Sequence, residues 1–518
     1  MNRCLSRLAV LFAAVLFAAA AFASSAPPVV LQQTLGAKLR AAYQANSLSN
    51  FAVNPPLFAC VAGNNSLAAV VCSAWAASTT YPEQTVVSNG GHLYVEINGT
   101  CTTASSGGPS TVTNTPIADN TCSWLYMGEA RTAANDSAAP ALSTVTGNPW
   151  AGAVFWDTQA YPSLYTPMGV SFAGAYGGYW ETLTSFNNKA GSAQGYGGKV
   201  CANVADSKFA VAIASSDPPY SITINGRLLS PQAVLFNSGS PADVIVDFSG
   251  TSGYQTRTVC IIGSKSNPHY GGIYTTANGS VTPVPAPAIN AAVIYDSYDG
   301  GSNYGPFSAY GIWSQQLAAY MGWTVWSMGQ GSTGPQNPGT TCSGPCYNFI
   351  RRAADSGNAA TLANMNVIVF NASTNDALCT GSITTSCPVG SETTAIQTLL
   401  AELRTLAPNA LIIGVGTEPI NTSSAYAAQV ALDNTAAAAF AAWDDPAGPG
   451  KKCYIPFAAS ATLSPIVASY MSAVPSSLPS TAFLINTGDT THPTDLGTIA
   501  LAAWTQAQIA QKCLPNIP

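Results

Sequence analysis

The run Ala291-Ala292-Val293-Ile294-Tyr295-Asp296-Ser297 decides the reading of this chain. Five apolar residues end abruptly in a carboxylate and a hydroxyl, the pattern of a buried strand that stops at a polar loop. Similar apolar runs recur at Thr324 to Trp326, Val367 to Phe370 and Leu411 to Val415. Between and after them lie helical periods, Ala309 to Tyr320, Ser391 to Leu406 and Ala425 to Trp443. Strand and helix in alternation predict an α/β domain whose parallel sheet is covered on both faces. In such sheets sites form beyond the C-terminal ends of the strands.

Those ends carry reactive groups. The first run ends in Asp296-Ser297. The second leads into Ser327-Met328-Gly329-Gln330-Gly331-Ser332-Thr333-Gly334, a glycine-rich turn able to present backbone N–H groups. The third leads into Asn371-Ala372-Ser373-Thr374-Asn375-Asp376. Near the C-terminus stands Gly488-Asp489-Thr490-Thr491-His492-Pro493, just before a helix-like run, Leu496 to Gln511. A carboxylate three residues before an imidazole can accept its N–H, fix its tautomer and leave the other nitrogen as a base. The chain has three histidines. His92 and His269 lack such a carboxylate and read as structural.

This ordered set, over about Ala291 to Cys513, resembles the SGNH, or GDSL, hydrolases. The resemblance implies a three-layer flavodoxin-like domain that transfers acyl groups without a metal or cofactor. It makes Ser297 the nucleophile, His492 the general base and Asp489 its orienting carboxylate. The Ser297 and Gly331 N–H groups and the Asn375 amide form the oxyanion hole. Tyr295 and Ser373 stand where the family motifs carry glycine, and Gly329 and Gly334 compete with Gly331 for its place.

Upstream, residues 150–280 hold short strand signals, among them Phe209 to Ile213, Ser221 to Ile224 and Asp243 to Asp247, with Asn225-Gly226 as a hairpin turn. They predict a β-sandwich of jelly-roll type. A sandwich directly before such a hydrolase resembles the family 2 carbohydrate esterases. Residues 281–290 form a proline-rich joint to the domain at 291–518, and residues 129–149 read as a linker. Residues 70–128 alternate in short strands around Trp75, Tyr81, Tyr94 and Trp124, resembling the small chitin- and cellulose-binding modules of bacterial chitinases. Exposed rings of this kind would stack on sugars; the competing expectation is that they form the core of a small module.

Residues 1–23 have the pattern of a secretory signal: Arg3 and Arg7, an apolar run from Leu8 to Phe22, and Ala21-Phe22-Ala23 for cleavage. A further segment, 24–69, carries a helical stretch at Gln32 to Asn46. Cleavage near Ala23 would take the net charge from −6 to −8 and leave 12 of 13 cysteines. An even number in an exported chain predicts disulfides rather than metal thiolates. The spacings invite Cys60–Cys72, Cys101–Cys122, Cys201–Cys260, Cys342–Cys346, Cys379–Cys387 and Cys453–Cys513. An acidic chain with only 17 Lys plus Arg and no basic run argues against nucleic acid as a partner. The expectation is a secreted, unanchored, monomeric ester hydrolase that removes acetyl groups from a polysaccharide. The alternatives are an esterase or lipase on lipid, aryl or polyester substrates, and a non-catalytic binding protein on a hydrolase scaffold.

Overall fold

The structure is a computed structural model that describes Leu35, Leu39 and residues 73–81, 86–90, 92–96, 100–111, 117–129, 140–145, 147–176, 180–184, 198–213, 220–229, 242–263, 269–299, 313–339, 347–379, 391–418, 423–459 and 495–517. The signal at 1–23, Asp489, His492 and the pairings Cys60–Cys72, Cys342–Cys346 and Cys379–Cys387 lie outside the described residues in whole or in part.

The apolar runs pair as five parallel strands: β1 (Ile289–Ile294), β2 (Trp323–Ser327), β3 (Val367–Asn371), β4 (Leu411–Val415) and β5 (Lys452–Ile455). Their order across the sheet is β2-β1-β3-β4-β5. The strand order therefore reverses at β1, and the crevice above β1 and β3 is where ligands bind in open parallel sheets. Side chains alternate along each strand and so divide between two cores. Ala291, Val293, Val369 and Ile413 face helices α1 (Trp313–Met321) and α6 (Asp495–Gln508). Ala292, Ile294, Ile368, Phe370 and Ile412 face the other side, with α2 (Phe349–Ala354), α3 (Ser356–Leu362), α4 (Glu392–Leu406) and α5 (Ser423–Ala442). The chain is thus mixed α/β around a parallel sheet.

Helix α4 shows how local sequence sets these elements. The Ser391 hydroxyl accepts the Thr394 N–H at 3.2 Å and caps the first turn. Ala395, Ile396, Leu399, Leu400 and Leu403 then repeat at helical spacing and are all fully buried. Pro408 follows just past the end, which bars continuation.

Two antiparallel sheets precede this domain. One runs Thr166–Met168, Lys199–Asp206, Gln255–Gly263, Tyr220–Ile224 and Arg227–Leu228. The other runs Ser171–Tyr176, Trp180–Thr184, His269–Thr275, Lys208–Ile213, Ala242–Asp247 and Ala141–Val145. Their inward residues, including Val200, Val204, Phe209, Val211, Val246 and Val259, form one core. The expected hairpin is present: Asn225 and Gly226 both have positive φ, 52° and 76°. Disulfide Cys201–Cys260 links adjacent strands of the first sheet.

The strands reach further than the expected boundaries. Ala141–Val145 pairs with Ala242–Asp247, inside the stretch that reads as a linker. Ser280–Pro283 pairs with Lys199–Asp206 and buries Val281, at the start of the proline-rich joint. Small residues and prolines mask both segments, which earn their places by edge pairing.

The sandwich also meets an edge strand of the parallel sheet. Gly169, at φ +71°, packs against β2 so closely that a Cβ there would lie 1.8 Å from the Val325 carbonyl oxygen. An exposed strand edge invites foreign pairing, and this contact shields the edge at Val325. Among the described residues no helix is long and apolar enough to cross a membrane.

Leu35 and Leu39, one helical turn apart, belong to the core on the α1 and α6 side, and Leu39 is fully buried there. These two residues therefore pack into the α/β core from a point some 250 residues upstream of β1. Leu39→Ala is expected to cost about 2–5 kcal/mol through lost burial and the cavity left behind. Thermal melting checks this, and a change below about 1 kcal/mol would contradict the docking.

Candidate active site

After β1 the chain turns tightly, with the Tyr298 N–H donating to Asp296 Oδ1 at 3.0 Å. The turn sends Asp296 wholly inward and leaves Ser297 partly exposed above the sheet. Behind it the buried Tyr295 ring stacks on Trp313 at 4.8 Å. The chain leaving β2 stays laced to β1, through Met328 N–H to Val293 O at 2.7 Å and Gln330 N–H to Tyr295 O at 3.0 Å. That lacing delivers Gly331 beside the serine: a Cβ built on it would lie 3.7 Å from Ser297 Cβ. Gly334 is a glycine for another reason, since a Cβ there would come within 2.1 Å of Asp376 Oδ1.

The loop after β3 is tied to the same turn. Asp296 Oδ2 accepts Ser373 Oγ–H at 2.6 Å and Asn371 Nδ2–H at 3.1 Å. Asn375 Nδ2 donates to the Thr333 carbonyl at 3.1 Å and lies 3.5 Å from Asp296 Oδ2. The Ser373 hydroxyl that donates to Asp296 also lies 2.8 Å from the Thr333 carbonyl, so the two loops meet at this side chain. Ser297, Gly331 and Asn375 come from three separate strand ends, and this network joins those ends.

Beneath them lies an acidic layer. Asp376 accepts the Gln336 and Asn337 N–H groups at 2.7 and 2.9 Å, and burial pushes its carboxyl up to about 6. Asp299 accepts the Ser314 N–H at 2.8 Å and the Ser327 hydroxyl at 2.5 Å, and burial likewise pushes it up to about 6. Glu418, beyond the end of β4, is held well above the usual range by burial and then by the charge of Asp296. Both of its oxygens lie 3.1 Å from Asn371 Nδ2. Among the described residues one cation enters this layer, the fully buried Arg352 of α2. Burial lowers its guanidinium to about 9, so it stays charged at neutral pH. Reading the sequence motif by motif missed Arg352, Asp299 and Glu418. Their signal was charge itself, since only 8% of residues carry any.

Helix α6, which starts three residues after His492, is oriented by two contacts. Cys513, past its end, bonds to Cys453 near the start of β5. Trp504 packs at 5.4 Å on Phe457, beyond the end of β5. The helix therefore runs against the strands, and its first residue, Asp495, lies toward the end of the sheet that carries Ser297.

The small module corrects one expectation. Its core contains Tyr81, Val87, Tyr94 and Trp124 with the Cys101–Cys122 disulfide. Trp124 and Tyr94 are fully buried, and Tyr81 meets Trp124 edge-on at 5.5 Å. Rings so enclosed cannot stack on a sugar; they are what so small a unit has to bury. Trp75 is half-buried, with its indole N–H on Asp119 Oδ2 at 2.7 Å and one face against Gly108. The Glu96 carboxylate lies within 4.8 Å of both cysteine sulfurs, which are committed to their disulfide rather than to a metal.

No family model matches this chain, and no curated protein does. Solved structures of similar shape include a family two carbohydrate esterase from Clostridium thermocellum in complex with cellohexaose. It is 14% identical at a TM-score of 0.44, over 64% of this chain and 98% of that one. The salicylyl-acyltransferase SsfX3 from a tetracycline biosynthetic pathway is 12% identical at 0.48, over 70% and 98%. The acetyl xylan esterase Est2A from the rumen bacterium Butyrivibrio proteoclasticus is 14% identical at 0.42, over 67% and 98%. At such values the chemistry has to be read from the residues themselves.

The acidic layer sets a pH dependence. Unfolded, an aspartate ionises near 3.9; Asp299 in the fold does so at about 6. Between these values the fold holds a proton that the unfolded chain has lost, so stability falls as pH rises from about 4 to 6. Asp299→Asn can keep the Ser314 bond and donate to Ser327 while removing the titration. Relative to this variant, wild type should lose up to about 3 kcal/mol over that range and then level off. Melting curves at a series of pH values check this; a constant difference between the two would contradict it.

Proposed function

We propose that this chain is a secreted serine ester hydrolase that removes acetyl groups from a polysaccharide, using Ser297, His492 and Asp489. The observation that carries the reading is the junction of Ser297, Gly331 and Asn375 at the strand-order reversal of the parallel sheet. A partly exposed hydroxyl sits there above a buried polar frame, beside a glycine whose missing side chain leaves the backbone approachable. The orientation of α6 supports bringing His492 to the same end of the sheet.

In the proposed reaction His492 takes the Ser297 proton as Oγ attacks the ester carbonyl, and Asp489 orients and stabilises the imidazolium. The carbonyl oxygen becomes an oxyanion held by the Ser297 and Gly331 N–H groups and one Asn375 amide hydrogen. The C–O bond to the alcohol breaks as His492 returns the proton to the leaving oxygen. Water, deprotonated by His492, then releases acetate and restores Ser297. The architecture around this chemistry is read as a flavodoxin-like hydrolase domain behind a jelly-roll domain. The polysaccharide comes from the resemblance to family 2 carbohydrate esterases, and export from the signal at 1–23. The buried rings of the small module lend that substrate no support.

Turnover of p-nitrophenyl acetate tests the chemistry. Ser297→Ala and His492→Ala should each lower kcat by at least about 10⁴-fold. A Ser297→Ala protein that keeps its activity would refute the assignment.

The acyl group has its own test. A pocket shaped for acetyl discriminates by roughly 1–3 kcal/mol for each misfit methylene. Rates should fall steeply from acetyl to butyryl to octanoyl esters, and acetylated xylan should release acetate. Octanoyl esters cleaved as fast as acetyl would point to a lipid or polyester substrate instead.

A further inference from the structure

We propose that Arg352 is a positioning residue for the oxyanion site, a single guanidinium that sets the distance between Ser297 and Gly331. The inference rests on the hydrolase reading above and adds to it a residue that touches no substrate.

Arg351 and Arg352 follow each other on α2, whose first turn is capped by Asn348 through the Arg351 N–H at 3.0 Å. Successive helix residues point about 100° apart, so the two part company. Arg351 is exposed and lies over the Tyr347 ring at 4.2 Å, while Arg352 is fully buried. Among the described residues Arg352 forms no ion pair. Its Nη1 donates to the carbonyls of Tyr295 at 2.9 Å and Met328 at 2.5 Å. Its Nη2 donates to Thr333 Oγ1 at 2.5 Å and to the Tyr347 carbonyl at 3.2 Å.

The choice of acceptors gives the role. Tyr295 lies two residues before Ser297. Met328 and Thr333 flank Gly331, three residues before and two after. The Thr333 hydroxyl closes the same turn onto the Gln330 carbonyl at 2.6 Å, and the Thr333 carbonyl accepts from Asn375 Nδ2 at 3.1 Å, with Ser373 Oγ 2.8 Å away. One planar, rigid fork of donors therefore clamps both backbone segments whose N–H groups would face the oxyanion. A lysine carries the charge without the fork. Such geometry matters because a misplacement of about 1 Å can cost 100-fold, and a lost oxyanion donor about 100- to 1000-fold.

A second buried arginine provides the contrast. Arg404 pairs with Asp445 at 2.7 Å and donates to the carbonyls of Ala407, Pro408 and Ala410, at the opposite end of the sheet where β4 begins. It supports the fold and has no bearing on the strand ends that hold Ser297 and Gly331.

The experiment compares Arg352→Lys, Arg404→Lys, Thr333→Val and Thr333→Ser with wild type. Each is assayed for kcat and KM on p-nitrophenyl acetate, inhibition by phenylboronic acid as a tetrahedral mimic, and melting. Arg352→Lys and Thr333→Val should lose about 100-fold in kcat with KM within about threefold, and boronate binding should weaken in parallel. Thr333→Ser should restore most of what Thr333→Val loses. Arg404→Lys should lower the melting temperature while kcat stays within about threefold. The proposal is overturned if Arg352→Lys loses no more kcat than Arg404→Lys, or if its loss lies in KM. Should Arg352→Lys fail to fold, Thr333→Val decides, and wild-type kcat in that variant overturns the proposal. A wild type with no Ser297-dependent turnover would bring down the hydrolase reading itself, a separate result.

Discussion

The buried carboxylate of Asp296 is the constraint on which the rest of the site depends. Fully removed from water, it must be met by donors, and a charge buried without them would cost several kcal/mol. The donors it recruits come from the Tyr298 backbone next door and from Asn371 and Ser373 on a strand end 75 and 77 residues away. Satisfying one carboxylate therefore draws two loops together. Ser297, the next residue in the chain, is carried outward by the same turn.

Charge around Asp296 follows from this. A buried anion raises the proton affinity of its acidic neighbours, and Glu418 is held well above the ordinary range in part for that reason. Arg352 supplies the compensating positive charge at a distance while directing its hydrogen bonds to three carbonyls and the Thr333 hydroxyl. Among the described residues the layer thus sets carboxyls of raised proton affinity, Asp299, Asp376 and Glu418, around Asp296, with the Arg352 guanidinium beside them. Its hydrogen bonds tie the strand ends to one another, as a site of the proposed kind requires of donors that face developing charge.

Much of this was legible in the chain. Apolar runs ending in Asp296-Ser297, Ser327 and Asn371 mark buried strands, because a short apolar run that stops at a polar turn and recurs between helical periods fits a covered parallel sheet. Asn225-Gly226 marked its hairpin since both residues tolerate positive φ. Cysteine spacing anticipated Cys101–Cys122, Cys201–Cys260 and Cys453–Cys513. What escaped was anything fixed by a distant partner. Arg351-Arg352 reads as a solvated pair until the helix turns one of them inward. Leu39 shows no sign of docking some 250 residues away. Tyr81, Tyr94 and Trp124 suggest a binding face by composition, yet a module with so few other large apolar residues has to bury them.

As the proposed nucleophile, Ser297 should be an activated hydroxyl. Reaction of the whole protein with a fluorophosphonate, followed by digestion and mass spectrometry, tests it most directly. One phosphonyl group per chain is expected, on Ser297, with labelling suppressed by prior incubation with an acetyl ester. Label on another residue, or a protein that stays unmodified while a known serine esterase reacts alongside it, would contradict it.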